Sequence, residues 1–169
     1  IGGKIRMSLA ELNIYYARKT STDHILDDEF LSNALRYNEK KMLISLADRM
    51  REYIDKKISP YDAFLKCQVH LVDAARAYVE RLAYREMIKT LDKIPDSTEK
   101  EILKKINRFY ALSLIMEHRY FYLESDYMDG SKTKAIRRVY SDVMLDLRNN
   151  VEGIVESFGF EKDLVEIKK

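Results

Sequence analysis

Between Ser59 and Leu82 the chain carries a row of mostly apolar residues, Phe64, Gln68, Leu71, Ala75, Tyr78 and Leu82, at alternating steps of four and three. That spacing puts the row on one side of an α-helix, and Leu65, Val72 and Val79 widen it into a stripe expected to be buried. Ser59 is a good N-cap, Pro60 suits the first helical position, and Asp62 places a carboxylate where the helix dipole favours it. No proline or glycine follows until Pro95. A helix of this length and pattern needs other helices to cover it.

The rest of the chain supplies them. Asp27 or Asp28 is the expected cap of a first long helix. Its stripe is Phe30, Ala34, Tyr37, Leu43, Ala47, Met50 and Ile54, widened by Leu31, Leu35, Met42 and Leu46. Lys56 and Lys57 then sit where cations suit a helix C-terminus, and only Ile58 separates them from Ser59, so the first two helices are expected to form an antiparallel hairpin. The second helix should end near Leu91, because the residue before Pro95 avoids helical geometry. Asp96 or Ser97 caps a third helix whose Ile102, Ile106, Phe109, Ser113, Met116, Tyr120 and Leu123 keep the same four-three spacing. After a break at Met128-Asp-Gly-Ser131, a fourth helix carries Ile136, Tyr140, Val143, Leu147, Val151, Ile154 and Phe158, with Gly159 as its C-cap.

The expected fold is all-α: an up-down-up-down four-helix bundle over residues 28–169, preceded by an irregular N-terminal arm over residues 1–27. Each helix, at about 25 to 30 residues, would be roughly 40 Å long.

Composition narrows the function more by exclusion than by suggestion. Thirty lysines and arginines face 28 acids, a net charge of +2, which lacks the basic surplus of a nucleic-acid or membrane-surface binder. No apolar run reaches the roughly 20 residues of a membrane span. One cysteine, Cys67, leaves no internal disulfide and fits a reducing compartment. Ile1-Gly-Gly-Lys-Ile-Arg has no apolar signal-peptide region, and a start at isoleucine fits an excised or processed piece of something larger.

Catalytic constellations are scarce. A di-iron site in a helical bundle needs Glu-x-x-His on two helices, and none of His24, His70 and His118 lies three residues after a glutamate. Zinc spacing is missing too. Cys67 and His70 lie one turn apart and could form a thiolate–imidazole nucleophile, but a cysteine beside an apolar stripe is expected to pack as a small hydrophobe, with His70 bonded to a neighbouring helix. Four cations in Gly130–Arg138 oppose the helix dipole. They read either as an anion site or as a solvated face paired with Glu124, Asp126 and Asp129. Tyr110, Tyr120, Phe121, Tyr122 and Tyr127 suggest a subunit or domain contact more than a base-stacking platform.

Several segments, in order, resemble the C-terminal helical domain of acyl-CoA oxidases, flavoenzymes that begin fatty acyl-CoA β-oxidation with oxygen. They are Ile1-Gly-Gly-Lys with Glu11-Leu-Asn13; Asp28-Glu-Phe30 with Ala34-Leu-Arg-Tyr37; Asp62-Ala-Phe64, Cys67-Gln68, His70-Leu71 and Ala77–Arg81; Tyr110–Ser113 and Phe121–Glu124; and Leu147-Arg148 with Ile154–Gly159. Asn149-Asn150 departs from the family, where a proline is often found.

The resemblance implies that FAD and the proton-abstracting glutamate belong to segments upstream. No position here matches that glutamate's motif, so no catalytic, cofactor-binding or metal residue is assigned to this chain. It implies a homodimeric parent in which this bundle covers the catalytic half and supports the dimer. Alone, the chain is expected to bind no FAD and to be inactive. The family is peroxisomal in many eukaryotes, but Glu166-Ile-Lys-Lys169 is not a Ser-Lys-Leu address, so a bacterial cytoplasm is expected. The rival reading is a free-standing helical interaction module.

Overall fold

A computed structural model of the chain describes residues 22–157. Expectations for the arm before Thr22, and for Phe158, Gly159 and the tail, lie outside the described residues. Those described form eight helices: α1 (Thr22–Ile25), α2 (Asp28–Asp55), α3 (Pro60–Lys66), α4 (Gln68–Leu91), α5 (Thr98–Glu117), α6 (Arg119–Glu124), α7 (Gly130–Arg148) and α8 (Val151–Ser157). The all-α expectation is met.

The helix starts follow the capping chemistry read from the sequence. The Asp27 carboxylate accepts from the Glu29 N–H, Ser59 Oγ from Asp62 N–H, Ser97 Oγ from Lys100 N–H and Asp129 Oδ1 from Lys132 N–H. Two helices end in a Schellman turn built without glycine. At the end of α2 the Lys57 N–H bonds to Ile54 O and Ile58 N–H to Tyr53 O, with Lys57 at φ 60°. At the end of α6 the Asp126 N–H bonds to Leu123 O and Tyr127 N–H to Tyr122 O, with Asp126 at φ 54°.

Three helices expected to be continuous are broken. Cys67, at φ −94° and ψ 2°, separates α3 from α4. His118 divides α5 from α6, and Asn149-Asn150 divides α7 from α8. Inside the expected arm, Thr22–Ile25 forms a helical turn whose Ile25 is fully buried.

Contacts between successive long helices run in opposite directions along the pair. Residues near the start of α2 meet the second half of α4, as in Tyr84 with Asp28, while Leu46 near its end meets Cys67 and Ala74. Asn107 of α5 meets Tyr84, whereas His118 meets Glu80. Between α5 and α7, Lys105 pairs with Asp146, and Phe109 stacks on Tyr140 at 4.9 Å. The order of the long helices therefore fits an up-and-down arrangement.

The core has two unequal parts. The larger gathers Phe30, Leu31, Ala34 and Leu35 with Tyr84, Leu112, Ile115, Tyr122 and Ile136. The smaller holds only Leu46, Cys67 and Ala74, flanked by Met42, Met50, Tyr53 and Leu71.

The stripe expected to bury α3 and α4 is turned inward only at Leu71 and Leu82, which are half-buried. Phe64, Gln68, Ala75 and Tyr78 are exposed, as are Leu65, Val72 and Val79, while Ala63, Cys67, Ala74, Ala77, Glu80 and Tyr84 face inward. Alanines at the contact let helix axes approach closely, which leaves the bulkier side chains on the outside. On α2 the expectation holds for Phe30 and Ala34 and fails for Leu43, Ala47 and Ile54, all of them exposed.

Candidate functional site

Each group singled out for chemistry has a structural place. Cys67 is 1% exposed and packs with Leu46 and Ala74; among the described residues it makes no hydrogen bond with His70, and His70 has no side-chain hydrogen bond to a neighbouring helix. No group of three or more His, Cys, Asp or Glu able to hold a metal occurs among the described residues. No helix among them is long and apolar enough to cross a membrane.

The cations of α7 do not act together. Lys132 is fully buried, with Nζ 3.9 Å from the centre of the Phe30 ring. Burial pushes its pKa down to about 8, against a smaller opposing pull from Asp129. Lys134, Arg137 and Arg138 remain exposed and make no ion pair with Glu124 or Asp129. The tyrosine-rich segment is mostly internal. Tyr122 is fully buried and donates to Ala34 O at 3.0 Å, and Tyr127 stacks on Tyr37 at 4.0 Å. Only Tyr120, 65% exposed, keeps the surface position a contact would need.

Periodicity gave no sign of three polar ties between helices. The Glu80 carboxylate is buried, accepts from Arg76 Nε at 2.7 Å and lies 3.3 Å from His118 Nε2; Arg76 also donates to Glu117 at 2.7 Å. Tyr84 donates to Asp28 at 3.0 Å, and Arg108 meets the same oxygen at 3.4 Å. Arg81 is paired with Glu39, joining α4 to α2. Arg76–Glu80 lies within α4, whereas Arg76–Glu117, Arg108–Asp28 and Arg81–Glu39 join different helices. Their partners are one another. That is fastening, not a reaction centre.

A cleft of about 580 Å³ lies between α5 and α8, lined by Ile102, Ile106 and Ile154 with Glu99, Arg148 and Glu152. A flavin dinucleotide needs donors or cations around its diphosphate. Here Arg148 is the one cation in the lining, and it shares the cleft with Glu99 and Glu152, whose charge opposes a diphosphate.

What remains is a surface. Leu43, Ala47 and Ile54 of α2 and Leu65, Val69, Val72 and Val79 of α3–α4 are exposed, with Val69 at 71% and Val72 at 61%. At 3.6 residues per turn Val72 shares a row of α4 with Arg76 and Glu80, while Val79 lies well round the helix from Tyr84. Glu80 and Tyr84 meet α5, and Tyr84 enters the main core.

Comparison with known proteins agrees with this picture of a part. The family model for acyl-CoA oxidase matches residues 27–165. The peroxisomal acyl-coenzyme A oxidase 2 of Arabidopsis thaliana is 28% identical over 150 residues, spanning 89% of this chain and 22% of that protein. The crystal structure of acyl-CoA oxidase 1 from Yarrowia lipolytica has the same fold at TM-score 0.77 and 20% identity, over 88% of this chain and 23% of its own. Acyl-CoA oxidase-1 of Caenorhabditis elegans, complexed with FAD and ATP, matches at TM-score 0.76 and 14% identity, over 92% and 24%. The chain therefore spans about a quarter of the length of the relatives it matches. It belongs to the acyl-CoA oxidase family.

Proposed function

We propose that this member of the acyl-CoA oxidase family is the closing helical domain of a flavin-dependent oxidase, with residues 28–169 as the domain and residues 1–27 as the connector into it. The parent enzyme would convert acyl-CoA and oxygen to trans-2-enoyl-CoA and hydrogen peroxide, with FAD and the proton-abstracting glutamate on the remaining polypeptide. The role of this part is support: it braces the catalytic half and stabilises the homodimer. The observation that carries the reading is the family match over residues 27–165 in a chain only about a quarter as long as its relatives. The self-contained ion pairs, which leave no charged group poised over a substrate cleft, are consistent with a bracing role.

For a eukaryotic source the reading places the enzyme in the peroxisome, after the Arabidopsis relative, and not in the bacterial cytoplasm expected from the terminal residues. The test is to assay peroxide release from a medium- or long-chain acyl-CoA with two purified proteins, the full reading frame and the 169-residue chain. The expected result is flavin and turnover in the first and neither in the second. A full reading frame that is no longer than this chain, or one that binds no flavin, would overturn the proposal.

A further inference from the structure

We propose that the segment after α8 turns back at Gly159 and seats Phe160, Lys162 and Leu164 in the cleft between α5 and α8, strapping those two helices together. The aliphatic lining comes from Ile102, Leu103 and Ile106 of α5 and from Val151 and Ile154 of α8, with Ser157 at its edge. Ser157 is also the last described residue, so the chain continues from the rim of the cleft itself. Residues 158–169 follow, and Phe158, Phe160, Leu164, Val165 and Ile167 give that segment an apolar side to bury.

Three observations favour this occupant. The first is that α8 needs cover. It has seven residues, none of them buried, and Val151 is 48% exposed. So short a helix does not hold itself together in water, and packing on its apolar side must do so. Among the described residues that side faces the cleft.

The second is the way the helix stops. With Ser157 as its last residue, Phe158 is the C-cap and Gly159 the position after it, where glycine takes up the left-handed turn that ends a helix. Such a turn reverses the chain and sets the residue after the glycine against those three and four positions before the cap. Here that brings Phe160 onto Val155 and Ile154, and Ile154 lines the cleft.

The third is reach and charge. Three extended residues past Gly159 span about 10 Å, which matches the rise of the seven residues of α8. Lys162 therefore arrives level with Glu152, and Asp163 comes just beyond it, beside Arg148. Alternation along an extended chain sends Phe160, Lys162 and Leu164 to one side. Apolar, cationic, apolar is the order that suits aliphatic walls carrying Glu99 and Glu152. Glu152 and Arg148 have no ion pair among the described residues, and Lys162 and Asp163 supply one to each.

The experiment places a thiol on the strap in the protein made from the full reading frame. Leu164→Cys keeps a small apolar side chain there, on a tryptic peptide separate from that of Cys67. Maleimide labelling of that peptide is followed by mass in the native and the denaturant-unfolded protein, over a dilution series. The expected result is labelling at least about tenfold slower in the native protein at every dilution. In that background Phe160→Ser and Glu152→Lys each bring the rate to within a few-fold of the unfolded one, and adding Lys162→Glu to Glu152→Lys restores the protection. Labelling of Leu164→Cys near the unfolded rate overturns the proposal. Protection that disappears on dilution also overturns it and assigns the cleft to the same segment of a second copy. Protection that survives both Phe160→Ser and Glu152→Lys overturns it as well, because the segment is then seated on another surface and the cleft is left to a different occupant.

Discussion

The two halves of the α2–α4 hairpin are made from the same helices and are held together differently. In the half near the start of α2, Phe30, Leu31, Ala34 and Leu35 meet side chains from α4, α5, α6 and α7, and Tyr84, Leu112 and Tyr122 are fully shielded from solvent. In the other half the buried cluster is small: Leu46 of α2 packs with Cys67 and Ala74 at the junction of α3 and α4. One half is a domain core. The other is an arm whose apolar side chains outnumber the contacts available to them. Helices differ in stability along their length when their tertiary cover does, because packing on an apolar face supplies most of a helix's stability.

The contrast can be broken most directly by truncation. Leu112→Ala, in the shared core, should cost about 3 to 4 kcal/mol in urea unfolding of the whole chain. Leu46→Ala should cost about 2 kcal/mol or less, because a thin contact can collapse around the gap, and the loss should appear as faster amide exchange in residues 42–72 only. An equal global effect from both would erase the distinction.

Glu39 and Arg81 sit where the two halves meet, with side chains 12% and 18% exposed. Removing one partner leaves the other charge poorly solvated, so Glu39→Gln should cost about 1 to 2 kcal/mol. A double-mutant cycle with Arg81→Gln should recover most of it as coupling.

Alkali should attack only the core half. Burial raises the pKa of Tyr84 and Tyr122 well above the usual tyrosine value and that of Tyr127 to about 12. A phenol with a raised folded pKa stabilises fully below the unfolded value near 10, and that contribution is lost as pH climbs through the folded one. Stability should therefore fall from about pH 10 to pH 12, and Tyr127→Phe should flatten the fall by up to about 1.4 kcal/mol per pH unit in that window. Lys132 acts with the opposite sign over a lower range. Its pKa is depressed to about 8, so the unfolded chain binds more protons between pH 8 and about 10.5, and stability should rise there relative to Lys132→Met.

The smallest effect is a gain at the arm's tip. Lys57 holds a left-handed conformation that a side chain disfavours, and Lys57→Gly should add about 0.5 to 1 kcal/mol to the local stability of α2's last turn. Slower amide exchange at Asp55 and Lys56 would register it.

Much of the architecture was written in local signals. Asp27, Ser59 and Ser97 cap as their chemistry dictates, α4 ends at Leu91 ahead of Pro95, and the order of the long helices follows their short connections. Which face of α4 turns inward was not legible. Phe64, Gln68, Ala75 and Tyr78 belong to as convincing a row as any, but Ala63, Ala74 and Ala77 are the residues fully buried, and periodicity has no way to rank two apolar faces on one helix.

The breaks at Cys67 and His118 carry no proline or glycine, so composition did not announce them. The Glu80–Arg76–His118 cluster joins residues 38 positions apart, beyond any local rule. The resemblance to acyl-CoA oxidases was legible in short words spread along the chain, such as Ala77-Tyr-Val-Glu-Arg81 and Phe121-Tyr-Leu-Glu124. With Val69, Val72 and Val79 exposed beside buried alanines, a reading that expects every apolar residue inside is misled.

The central claim is tested by comparing amide hydrogen exchange in the 169-residue chain with that in the full-length enzyme, segment by segment. The account predicts that residues 98–117 are equally protected in both, while residues 42–72 exchange at least about a hundredfold faster in the short chain. Equal protection of residues 42–72 in the two proteins would mean that the arm needs no cover, and would contradict it.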